Sequence, residues 1–213
     1  MINIPFITVE GPIGVGKTSL AKAISNHFCL HLLKEIVSEN PFLGKFYQDI
    51  EEWSFQTEMF FLCNRYKQLE DIHMKYLSNA IPVVADYHIF KNLIFANRTL
   101  KPNQYHKYVQ IYDILTQDMP VPNVIVYLTA SLETLQKRIS LRGREFEKEI
   151  DPQYLLQLIS DYETAMDRFS KNHPSIPVLK FNGDDIDFVN NEDDLKDVLS
   201  TLEITLKKEV AKS

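Results

Sequence analysis

The sequence of 213 residues has two cysteines, six glycines, one tryptophan and more acidic than basic side chains. Each scarcity removes a class of protein. Cys29 and Cys63 show no metal-ligand spacing, so neither a zinc site nor a disulfide framework is expected. Both stand among apolar residues on predicted helices and read as reduced, buried thiols. A membrane helix needs about 18 consecutive apolar residues, and no run approaches that length. The amino-terminal MINIPFITVEG has no basic segment, and Pro5 breaks its apolar run. No signal peptide is therefore expected, and the cytoplasm is the expected compartment. The 23 Lys and Arg against 29 Asp and Glu give a formal charge of −6. Binding a nucleic-acid polymer requires phosphate neutralisation, so no such partner is expected, although local cations can still hold a small anion. Repeats, linkers and low-complexity tracts are also missing.

What is present is an ordinary globular composition, 45% apolar and 24% charged. At this length a chain buries about 70% of its surface on folding, so one domain spanning 1–213 is expected without a disulfide or structural metal. Short apolar runs alternate with helical patterns. The runs are 4–9 (IPFITV), 31–37 (HLLKEIV), 81–85 (IPVVA), 124–128 (VIVYL) and 176–181 (IPVLKF). Short, Val/Ile-rich and non-alternating runs suit strands buried on both faces. Strand–helix alternation then implies a five-stranded parallel α/β sheet flanked by helices. The longest helical signal covers 51–78, where Phe55, Met59, Leu62, Tyr66 and Leu69 step by four and three, an apolar stripe at helical period. Further helices are expected at 102–118, at 152–170 behind Asp151-Pro152, and at 192–210.

Half of the scarce glycines lie in one octet, Gly11-Pro12-Ile13-Gly14-Val15-Gly16-Lys17-Thr18. It fits G-x-x-x-x-G-K-[ST] at every position, after a predicted strand and before a predicted helix, Ser19 to Phe28. Backbone N–H groups of such a loop cradle phosphate oxygens. Gly14 and Gly16 allow backbone angles and close approach that a Cβ would obstruct. Lys17 would reach the terminal phosphates, and Thr18 would offer its hydroxyl to Mg²⁺. A phosphate loop alone does not name a reaction.

Three further features bear on the reaction. Asp86 follows the strand IPVVA, so parallel packing puts its carboxylate beside the phosphate loop, where it holds Mg²⁺ or caps the next helix. Glu35, at the end of the second run, is either a base for an attacking hydroxyl or a solvated surface acid. Arg138, Arg142 and Arg144 cluster at a helix end and the turn after it. They form either a lid that neutralises a transferring phosphoryl group, hinged at Gly143, or a basic helix terminus favoured by the macrodipole.

Taken together, these pieces resemble the deoxyribonucleoside kinase family. They are the phosphate loop, Glu35-Ile36-Val37, Tyr47 before Trp53-Ser54-Phe55, Arg65, the Asp86 segment and the stretch Arg138–Glu147. The resemblance implies a P-loop kinase fold with an Arg-rich lid at about 142–151, ATP and Mg²⁺, a deoxynucleoside acceptor phosphorylated on its 5′-hydroxyl, and a homodimer packed through helices, with 51–78 and its neighbour as the expected surface. By the same resemblance Glu35 is the base, Asp86 is linked to the metal and Arg138, Arg142 and Arg144 clamp the phosphoryl group. Tyr47 and Glu147 would bind the 3′-hydroxyl, and Asp187-Phe188 would lie near the adenine of the donor. One departure concerns the acidic-Arg-Ser triplet of the family, which is Asp86-Tyr87-His88 here, so either Tyr87 and His88 or another cation must do the work of that Arg.

A second departure bears on the base. Where many relatives carry Gln and Asp, this chain has Glu58 and Asn92. Glu58 and Arg65 are seven residues apart, an offset of only about 20° on a helix, so both can reach one planar ligand. An ionised Glu is acceptor-only. It can accept from N1–H and N2–H₂ of guanine, while Arg65 and Asn92 donate to O6 and N7 and Phe95 stacks on the ring. Adenine would turn a bare lone pair toward the same carboxylate. Deoxyguanosine is therefore the expected substrate, with a deoxyadenosine or mixed deoxynucleoside kinase as the alternative within the family; Glu58 merely pairing with Arg65 is the bland reading. A nucleoside monophosphate kinase needs a second Arg cluster, absent near 35–65, and a guanine-nucleotide switch needs Asn-Lys-x-Asp, which does not occur.

Overall fold

The computed structural model describes residues 5–37, 39–148 and 150–212. The expected strand start at Ile4 and the lid residue Glu149 lie outside the described residues. The strands are β1 (Phe6–Glu10), β2 (His31–Leu33), β3 (Val83–Ala85), β4 (Val124–Thr129) and β5 (Val178–Asn182). The helices are α1 (Lys17–Phe28), α2 (Leu43–Gln48), α3 (Ile50–Lys75), α4 (Lys91–Thr99), α5 (Pro102–Thr116), α6 (Leu132–Arg142), α7 (Pro152–Asn172) and α8 (Glu192–Lys212). All four strand pairings are parallel, in the order β2-β3-β1-β4-β5.

β1 and β4 occupy the middle of the sheet and are buried nearly throughout, as their uniform apolar runs require. β5 differs from expectation. It is an edge strand, only half-buried, with Lys180 exposed. β2 is also shorter than its apolar run. Its neighbour β3 ends at Ala85, and the next donor, the Glu35 N–H, bonds the Asp86 carboxylate at 2.6 Å instead of a ladder carbonyl. Parallel register puts Glu10, Asp86 and residue 34 onward at the same carboxyl edge, the edge where open α/β sheets bind ligands.

α3 begins at its N-cap Asp49, which accepts from Glu52 N at 3.1 Å. The expected stripe forms: Leu62 and Leu69 are buried in one apolar cluster with Tyr87 and Tyr108, and Phe55, Met59 and Tyr66 pack against it. The adjoining face of α3, carrying the buried Glu58, Phe61 and Arg65, is left for the site. α7 starts as read, Asp151 accepting from Gln153 N at 2.8 Å with Pro152 next. The cysteines correct the sequence reading, for both are exposed. Cys29 caps the carboxyl end of α1 in the left-handed region (φ 55°), and Cys63 faces away from the stripe. Among the described residues no helix is long and apolar enough to cross a membrane.

Candidate active site

The sheet edge, α2, α3 and α6 enclose a cleft of about 880 Å³, in the size range of small-molecule sites. The phosphate loop forms one wall. Gly14 and Gly16 take φ of +86° and +107°, a region L side chains rarely adopt. A Cβ on Gly14 would come 2.7 Å from Ile139 Cγ1, and one on Gly16 would come 3.0 Å from Phe188 Cζ. Gly16 is the N-cap of α1, and no side chain caps that end, so the first helical N–H groups are free for an anion. Lys17 Nζ donates to the carbonyls of Gly11 and Pro12 at 2.8 and 2.9 Å. Burial, and then the charge of Lys91, lower its pKa to about 8.

Behind the loop lies a compact set of charges. Thr18 Oγ1 donates to Asp86 Oδ2 at 2.6 Å, which joins the two residues read as metal ligands. Burial raises the Asp86 pKa. Glu10, not singled out from the sequence, is fully buried at the end of β1 and accepts from the N–H groups of Gly11 and His88. Glu35 accepts from Arg65 Nη2 at 2.5 Å and Nε at 2.9 Å. Lys91 Nζ, also missed, lies 3.1 and 2.9 Å from its two oxygens. Burial alone would raise the Glu35 pKa, but the charges of Lys91 and Arg65 outweigh it and hold the carboxyl well below its ordinary value. Glu35 is thus an enclosed carboxylate, with its side chain 10% exposed, and not a solvated acid.

Glu58 and Arg65 face the cleft together, as their spacing implies. They do not pair with each other. Arg65 is committed to Glu35 and, through Nη1, to Asn92 Oδ1 at 2.7 Å. Glu58 is 2% exposed; Oε1 accepts weakly from Thr99 Oγ1 at 3.3 Å, and Oε2 has no partner among the described residues. Burial raises its pKa to about 7 against the opposing charge of Arg65. Phe61 and Phe95 also line this end. Asn92 corrects the sequence reading. It is fully buried, absent from the cleft wall, and its amide donates to Tyr108 Oη at 2.7 Å. Its work is to brace Arg65.

The lid residues are engaged with one another. Arg142 Nε and Nη2 donate to Glu147 at 3.0 and 2.5 Å, and Arg144 Nη1 adds a contact at 3.3 Å. Glu147 is buried under them. Tyr47 lines the same end, and burial followed by the charge of Glu147 pushes its phenol above the ordinary range. Arg138 lines the cleft with Arg142 and Arg144. It donates to the carbonyls of Val15 and Gly183 at 2.9 and 2.8 Å and so ties the phosphate loop to the turn after β5. Phe188 is buried beneath Gly16, while Asp187 accepts from the N–H groups of Val189 and Asn190 at 3.2 and 3.1 Å. Both still border the cleft beside the loop.

Residues 7–207 match the family model described as deoxynucleoside kinase. The deoxyguanosine kinase of Bacillus subtilis (strain 168) is 55% identical over 196 residues, 92% of this chain and 95% of the relative. The deoxyadenosine/deoxycytidine kinase of the same organism is 30% identical, over 92% and 90% of the two chains. The solved deoxyadenosine kinase from M. mycoides with bound dATP superposes with a TM-score of 0.78 over 93% of this chain and 99% of that one, at 22% identity, a likeness of fold. A phosphate loop, an enclosed carboxylate and an Arg-bearing segment thus meet at one sheet edge of a chain matched along nearly its whole length, and that chain belongs to the deoxynucleoside kinase family.

Proposed function

We propose that this chain transfers the γ-phosphoryl group of ATP to the 5′-hydroxyl of deoxyguanosine, giving dGMP. The observation that carries the base assignment is Glu58, a buried carboxylate in the cleft wall with one oxygen unpartnered. Leaving a buried acceptor unpaired costs about 1–3 kcal/mol, and a ligand with two adjacent donors removes that cost. Guanine offers N1–H and N2–H₂. Arg65 makes three hydrogen bonds, which leaves two of its five N–H groups for O6 and N7. Adenine presents an acceptor where Glu58 needs a donor. The 55% identity to a deoxyguanosine kinase supports the same reading.

In this reading Glu35 accepts the proton of the 5′-hydroxyl, Tyr47 and Glu147 hold the 3′-hydroxyl, and Arg142 and Arg144 close over the phosphoryl group. The loop Gly11–Thr18 holds the donor phosphates, and Asp187 and Phe188 border the place of its base. Thr18 and Asp86 are hard oxygen donors already within contact. Mg²⁺ takes one or two protein oxygens and completes its shell with water and phosphate, and these two side chains would supply them. When bound, Mg²⁺ supplies charge neutralisation of the phosphate oxygens. We also propose one working domain over 1–213 with its lid at 142–151, a cytoplasmic location, and a homodimer. Phosphorylation of the four deoxynucleosides, each at equal concentration with ATP and Mg²⁺, tests the assignment. Deoxyguanosine is expected to be fastest, with deoxyinosine slower for want of the N2 donors; a faster rate on deoxyadenosine would overturn it.

A further inference from the structure

The segment Asp86-Tyr87-His88 carries no arginine, so a cation for the phosphoryl group must come from elsewhere. Tyr87 does not supply it: the side chain is fully buried and its hydroxyl donates to Gln68 Oε1 at 3.0 Å. His88 does not supply it either. Its Nδ1 accepts from Phe90 N at 3.1 Å, and burial lowers its pKa to about 3, so the ring is neutral. Neither residue lines the cleft.

Lys91 does line it, five residues beyond Asp86 and at the first position of α4. The residue is 4% exposed, and its Nζ bridges the two oxygens of Glu35. It also acts on the phosphate-loop lysine: after burial, Lys91 has the largest influence on Lys17. Its charge reaches Glu10 and Asp86 as well. Two ammonium groups therefore share the part of the cleft between the base and the phosphate loop, together with the carboxylates Glu35 and Asp86, with Glu10 buried behind them. Buried charges of like sign are costly unless countercharge is close, and a phosphate entering between them adds such countercharge. A lysine suits this place because its ammonium is a compact charge with three donors on a flexible stem. It can change partners without moving the helix.

We propose that Lys91 is a catalytic cation of this chain, one that turns from Glu35 to the phosphoryl group in transit when the acceptor hydroxyl takes its place on Glu35. The 5′-oxygen forms its bond to the γ-phosphorus as the bond from that phosphorus to the bridging oxygen breaks. The electron pair of the broken bond leaves with the diphosphate, and the hydroxyl proton passes to Glu35. Lys91 donates to the equatorial oxygens of the moving group, where negative charge is spread, and Arg65 stays on Glu35 to keep it aimed. The proposal rests on the phosphoryl-transfer reading and is independent of the base preference.

The test compares the parent with Lys91→Met and Lys91→Arg, on whichever deoxynucleoside the parent phosphorylates fastest. Loss of an oxyanion donor of this kind lowers kcat by about 10²–10³-fold. Lys91→Met is expected to lose at least that lower figure in kcat, with KM for the nucleoside within about threefold of the parent. Lys91→Arg keeps a charge and is expected to recover most of the loss. An unchanged kcat, or a loss carried entirely by KM, would overturn the proposal. A second measurement needs no variant: a crystal structure of the parent with deoxynucleoside, ADP and beryllium fluoride, which stands in for the γ-phosphoryl group. Lys91 Nζ is expected within hydrogen-bond distance of a fluoride; Nζ remaining only on Glu35 would overturn the assignment. If no deoxynucleoside stimulates ADP formation at all, the phosphoryl-transfer reading itself fails, and with it the role of Lys91.

Discussion

A carboxylate enclosed in protein with one bare oxygen is costly to keep charged, and Glu58 is in that position in the free molecule. Burial raises its pKa from 4.5 to about 7. Between those values the folded chain holds a proton that the unfolded chain has released. The stability from that proton is full below the unfolded value and is lost as pH rises through about 7. Glu58→Gln is neutral at every pH. It is therefore expected to melt above the parent at about pH 8, by about 1–3 kcal/mol, and close to the parent near pH 5. Melting temperatures of the two proteins without ligand, at both pH values, check this; an equal difference at both would contradict it. The same proton bears on recognition. Ionised Glu58 offers only acceptors, whereas neutral Glu58 carries a donor that adenine N1 can accept. The ratio of kcat/KM for deoxyguanosine over deoxyadenosine is thus expected to rise with pH across neutrality.

Elements set how these side chains meet. α6 contributes Arg138, whose guanidinium joins Val15 and Gly183. Arg138→Met removes both bonds and loosens the phosphate loop while leaving α3 untouched. It is expected to raise KM for ATP by about tenfold, about 1.4 kcal/mol, with little change in KM for the nucleoside. Steady-state kinetics in both substrates separate the two. The element pattern was largely legible in the sequence. Five apolar runs named the five strands, and the octet Gly11–Thr18 announced both the turn and the helix after it. Steps of three and four from Phe55 to Leu69 also told which face of α3 would be buried. The charge partners were not legible. Lys91 and Glu35 are 56 residues apart and meet only because β2 pairs with β3, an adjacency that periodicity does not encode. Asn92 was misread because facing a ligand and bracing Arg65 from behind both require a polar residue at the start of α4. Cys29 was misread because its apolar neighbours bury themselves while the helix end it caps lies at the surface.

For the whole molecule, one cleft runs from α3 to the phosphate loop and the start of α1, so the proposed function sets nucleoside and nucleotide side by side in it. On the packed pair α3 and α5, two exposed apolar residues lie outside the cleft lining: Met74 on α3 is 55% exposed and Ile114 on α5 is 75% exposed. A homodimer packed on this side is expected to show about twice the chain mass by light scattering. Ile114→Glu places a charge in that face and is expected to give the single-chain mass, with catalysis per chain retained. A monomeric parent would contradict the pairing.

The most direct test of the account is the base preference of Glu58→Gln, measured as kcat/KM for deoxyguanosine over deoxyadenosine beside the parent at about pH 8. A glutamine can rotate its amide to suit either purine, so the preference is expected to fall by about tenfold or more, the equivalent of about 1.4 kcal/mol. A ratio unchanged from the parent would contradict the claim that Glu58 reads the guanine edge.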